Sequence, residues 1–113
     1  MNEIEIPKGT YKLITVTVTD DSGSAYDLTN FNAYLGVKTS GATSTQLISE
    51  TGVISSPDTG VITFTLTADQ TNITAGSYLY DVKIQHKTSS NVVFSVIDKA
   101  SFKILDSITN ITI

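Results

Sequence analysis

His86 is the only imidazole in this chain, and there is no cysteine. A lone histidine has no second imidazole with which to hold a metal and no thiol to activate. Its plain reading is a strand-end side chain with a half-wet ring. Serine and threonine are abundant, but no G-x-S-x-G turn presents a nucleophile, and a Ser–His–Asp set would need long-range assembly. The carboxylates Asp20, Asp21, Asp27, Asp58, Asp81, Asp98 and Asp106 are scattered, several in turn-forming runs where Asp bonds local backbone. Asp20, Asp21 and Asp27 form the one grouping that a loop calcium ion would suit, yet they lack EF-hand spacing. Asp81 reads as half of a cross-strand pair with a lysine. The expectation is therefore no enzyme, no catalytic residue, no metal and no cofactor. Asn72-Ile73-Thr74 and Asn110-Ile111-Thr112 fit the N-glycosylation pattern and read as coincidences of a Thr-rich chain.

The elements that would position these residues are strands. Residues 75–87, AGSYLYDVKIQHK, carry the clearest pattern. After Gly76, residues Tyr78, Tyr80, Val82 and Ile84 fall on one side, and Leu79, Asp81, Lys83 and Gln85 on the other. This period of two marks a strand with one buried face. A buried Tyr needs a partner for its hydroxyl, and at the start of a central strand the preceding corner supplies one, as in the tyrosine corner of immunoglobulin-like sandwiches. Gly76, Tyr78 and Tyr80 are the structural residues singled out here.

The same alternation recurs along the chain. Ile14, Val16 and Val18 alternate with Thr15, Thr17 and Thr19, and Asp20-Asp21-Ser22-Gly23 then turns the chain. Ala33, Leu35 and Val37 share a face in residues 31–39, where Gly36 marks a bulge or a close approach. Ile62, Phe64 and Leu66 point inward in residues 61–67. Residues 68–73 lack alternation and read as a crossover with one capped helical turn. Val92, Phe94 and Val96 are in phase with Phe102 and Ile104, with Asp98-Lys99 marking either a bulge or a turn. Pro7 ends an edge strand begun near Asn2. Seven to nine short strands with frequent turns predict an all-β, immunoglobulin-like antiparallel β-sandwich with Greek-key connections. A small closed barrel is the other arrangement that fits. Residues 1–106 form the sandwich domain, and residues 107–113 a C-terminal strand or tail.

Composition narrows the function. With 113 residues and 40% hydrophobic content, one folded domain is expected. The net charge is −4, and all seven basic residues are lysine. Nucleic-acid binders need basic patches and favour the arginine fork, so no nucleic-acid partner is expected. No apolar run approaches the ~20 residues of a membrane span. Glu3 and Glu5 stand where a secretory leader would be basic and then apolar, so synthesis in the cytoplasm without a signal peptide is expected. Tyr26, Tyr34 and Leu79 on outer faces, with Ile108, Ile111 and Ile113 near the end, make up the candidate partner surface.

Three stretches carry a family resemblance: TVTDDSGSAYDLTNFNAYLGVK, GVITFTLTADQTNITAGSYLYDVKI and VVFSVIDKASFKIL. In order and spacing they resemble the immunoglobulin-like domain at the N-terminus of phage upper-baseplate proteins, also met as small stand-alone structural proteins of tailed phages. The most specific parts are residues 20–29, Leu66-Thr67, Gln70-Thr71 and residues 76–81. The resemblance implies a non-enzymatic virion protein that packs on other phage virion proteins, often as a homo-oligomer or in a symmetric assembly. No coiled coil or fibre-docking domain follows the sandwich, which favours an accessory or decoration component of head, tail or baseplate. The alternative is a glycan-binding or host-surface adhesion module on the virion, with Tyr26 and Tyr34 stacking on sugars.

Overall fold

The computed structural model describes residues 3–39 and 46–107. The chain is an all-β sandwich, with seven strands among the described residues: β1 Ile4–Pro7, β2 Lys12–Thr17, β3 Phe31–Lys38, β4 Ile48–Thr51, β5 Val61–Leu66, β6 Gly76–His86 and β7 Val93–Leu105. One sheet has five strands in the order β1-β7-β6-β3-β4, and the other pairs β2 with β5. The chain changes sheets between β1 and β2, between β2 and β3, between β4 and β5, and between β5 and β6. Two separate sheets with an open side exclude the closed barrel. Among the described residues one 3-10 turn, Pro57–Thr59, interrupts the strands.

The expectation of a purely antiparallel sandwich needs one correction. β1 runs parallel to β7, with Ile4 opposite Phe102 and Pro7 opposite Leu105. A parallel pair needs a long crossover between its strands. Here almost the whole chain lies between them, so the first strand can close on the last. Pro7 ends β1 at the sheet edge, where its missing N–H costs nothing.

Alternation sets the core. Ile14 and Val16 from β2 and Ile62, Phe64 and Leu66 from β5 face Leu35, Val37, Tyr80, Val82 and Ile84 from the larger sheet. Phe64 and Phe102 are fully buried, and Tyr80 meets Phe102 edge-on with ring centroids 6.0 Å apart. Thr71, in the crossover between the sheets, is buried, and its hydroxyl donates to the Thr10 carbonyl at 2.7 Å. That bond ties the crossover to the start of β2.

Asp98-Lys99 is a bulge within one continuous strand. Tyr80 pairs with Ala100, Val82 with Ile97 and Lys83 with Ser95, so β7 gains a residue at each step. Lys99 takes a left-handed backbone, φ 48°. Gly36 is a place of close approach: a Cβ there would lie 2.6 Å from Nε2 of Gln46, which folds over it.

Candidate functional site

The corner before β6 is built as a bonded unit. The Tyr78 hydroxyl donates to the Thr74 carbonyl, four residues upstream, while its ring is buried. Gly76 opens β6 at the exposed end of this corner. Tyr80 lies two residues further along the buried face, and burial pushes its hydroxyl pKa up from 10.0. These three residues serve architecture: they hold the first residues of the central strand against the core.

The polar residues with chemical potential are tied into their own turns. Asp20 Oδ1 accepts from the Ser22 hydroxyl at 2.8 Å and from the backbone N–H groups of Ser22 and Ser24 at 3.0 Å each. Those bonds, the Ser22 hydroxyl first, hold its carboxyl below the usual 3.8. Asp27 repeats the device with Thr29, whose hydroxyl donates at 2.6 Å and whose N–H donates at 2.9 Å, and its carboxyl is lowered likewise. A carboxylate that accepts such bonds in its charged form is a turn-maker. Among the described residues no group of three or more His, Cys, Asp and Glu is placed to hold a metal ion. His86 Nδ1 accepts from the N–H groups of Thr88 and Ser89, at 3.3 and 3.2 Å, and its ring stands edge-on to Phe31 at 5.3 Å. It thus closes the hairpin between β6 and β7.

The candidate partner surface divides. Tyr34 is exposed on the outer face of the larger sheet, opposite Lys83 on β6 and Thr51 on β4. Leu79 shares that face and lines a shallow groove with Gly36, Lys38, Lys83, Asp98 and Lys99. Lys83 lies 3.8 Å from Asp81 on its own strand, an exposed pair of small energetic worth. Tyr26 departs from the outer-face expectation. It is half-buried against the core and stands edge-on to Phe31, with ring centroids 6.1 Å apart. Ile108, Ile111 and Ile113 lie outside the described residues.

Sequence reasoning missed a further surface. The alternation places Val92, Phe94 and Val96 inside, yet Val92, Val93 and Phe94 are 37, 46 and 47% exposed. Phe94 does sit on the inner face, opposite the buried Ile84. The smaller sheet has only two strands, so it does not reach across to cover this end of β7. Between β2 and β7 runs an open seam. One part is lined by Ile4, Ile14, Val16 and Val96, the next by Val18, Tyr26, Ile84 and Phe94.

Comparison with protein-family models and with curated proteins finds no match for this chain. Among the described residues no helix is long and apolar enough to cross a membrane.

Proposed function

We propose that this chain is a non-enzymatic structural protein of a bacteriophage virion, an accessory or decoration component that packs on head, tail or baseplate proteins. The reading is carried by where the exposed apolar surface lies. Val92, Val93 and Phe94 project at a strand edge, and Leu13 and Tyr11 are exposed at and before the start of β2. Edges of this kind are places where another chain can add. The turn-bound roles of Asp20, Asp27 and His86 agree with a molecule that works by contact. The resemblance of residues 17–38, 60–84 and 92–105 to phage immunoglobulin-like domains supplies the setting.

The test is co-sedimentation of the purified protein with isolated virions, emptied heads and detached tails. Saturable binding to one of these fractions is the expected result. Absence of binding to all three would overturn the virion role. The adhesion alternative rests on the exposed Tyr34, since Tyr26 packs on the core. It would be favoured by a glycan-array signal that a Tyr34→Ala variant loses.

A further inference from the structure

The free strand edges of this sandwich are not alike. β1 carries Glu5 and ends at Pro7, β4 carries Glu50, and β2 opens with Lys12 and then alternates with threonine. Along β5, Val53 pairs with Thr63 and covers part of the edge. Charge and proline on an edge are the usual guards against pairing with another chain. The first half of β7 has neither. Among the described residues β1 covers β7 over Phe102–Leu105 alone, and the run Val92-Val93-Phe94-Ser95-Val96-Ile97 holds no charge and no proline. Its backbone is oriented for pairing. The His86 N–H donates to the Val92 carbonyl at 2.9 Å. Antiparallel alternation then turns the groups of Phe94 toward β6 and those of Val93 and Ser95 toward the open edge.

We propose that residues 93–95 of β7, ahead of the bulge between Ser95 and Ile97, pair antiparallel with the same edge of a second copy, joining two five-stranded sheets across a two-fold axis. The segment is complementary to itself, as an isologous contact requires, because it brings no like charges together. Each copy carries a net charge of −4, so this uncharged edge is where two copies can approach at least electrostatic cost. The pairing also covers the open seam. Phe94 and Val96 of each copy come over a seam floored by Val18, Tyr26 and Ile84 and rimmed by Thr17, Thr19 and Asp21. This deepens the assembly reading by naming a partner and a surface, while standing on the strand edges themselves.

The experiment is sedimentation equilibrium over a micromolar to millimolar series, with hydrogen exchange read at both ends of the series. The wild-type chain is expected to form a dimer, and the Val93 and Ser95 amides to gain protection as concentration rises. Ser95→Glu separates pairing from folding. Within one chain Ser95 lies opposite Lys83, so the new carboxylate gains an opposite charge across the strand. In the pair, two glutamates meet beside the axis. The variant is expected to keep its thermal midpoint and to dimerise at least about tenfold more weakly, the direction like-charge contacts impose. A wild-type monomer throughout the series overturns the self-pairing, whether or not the chain still binds particles. So does a dimer that Ser95→Glu leaves unchanged, or protection that appears on β4 instead.

Discussion

The Tyr78 hydroxyl is a small group with a large structural task. It donates to the Thr74 carbonyl while the ring is buried, so removing it leaves a partly buried acceptor without its donor. Tyr78→Phe is expected to lower stability by about 1–3 kcal/mol. Urea denaturation reads this directly, and a change below about 0.3 kcal/mol would place Tyr78 among ordinary surface positions. Asp20 and Asp27 bear on pH instead. Both carboxyls sit below the usual 3.8 in the folded chain because neighbouring hydroxyl and N–H groups donate to the charged form. The unfolded chain binds these protons more readily, so the contribution is complete above the unfolded value and lost as pH falls through the lowered folded ones. The urea midpoint should therefore stay level down to about pH 5 and fall below about pH 4. An Asp20→Asn, Asp27→Asn double variant should show a shallower acid fall. An unchanged acid slope would remove these two carboxylates from the account.

At the scale of elements, Lys99 is the residue that lets β7 remain one strand. The bulge at Asp98-Lys99 absorbs an extra residue against β6 and keeps Ile97 and Phe102 both buried. Its cost is a left-handed backbone at a non-glycine residue, φ 48°. Lys99→Gly should be neutral or slightly stabilising, whereas Lys99→Val should cost roughly 1–3 kcal/mol, since a β-branched side chain resists this conformation. Equal midpoints for the two variants would mean that the bulge relaxes. The strands themselves were legible in the sequence because period-two alternation is local: Ile14 to Val18, Ile62 to Leu66 and Tyr78 to Ile84 each report their own buried face. The corner tyrosine was legible for the same reason, since Gly76 and the buried row beginning at Tyr78 adjoin. Two features were not legible. The parallel pairing of β1 with β7 joins residues nearly a whole chain apart. The exposure of Phe94 depends on how many strands face it, which no local pattern records. Tyr26 was misjudged likewise, because its burial comes from Phe31, beyond the turn at Asp27-Leu28-Thr29.

For the whole molecule, the balance lies between a weakly acidic surface and the uncharged edge of β7. Two copies, each at −4, repel at long range, whereas the β7 contact gains by covering apolar surface and adding backbone hydrogen bonds. Salt acts on these terms differently. Raising ionic strength from about 0.01 M to about 0.15 M shortens the screening length from about 30 Å to about 8 Å, which weakens the repulsion and leaves the apolar contact intact. Dimerisation should therefore strengthen as salt rises over this range. The opposite trend would point to attraction between unlike charges, for which the outer face bearing Lys38, Lys83 and Lys99 beside Asp81 and Asp98 is the natural place. Measuring the dimer constant at both ionic strengths, with Ser95→Glu alongside, distinguishes the two surfaces. If the contact runs through β7, the variant's deficit narrows at high salt, because the two glutamates it brings together are screened. If the contact runs through the lysine-bearing face, wild-type affinity falls with salt, and added charge at Ser95 does not produce that narrowing.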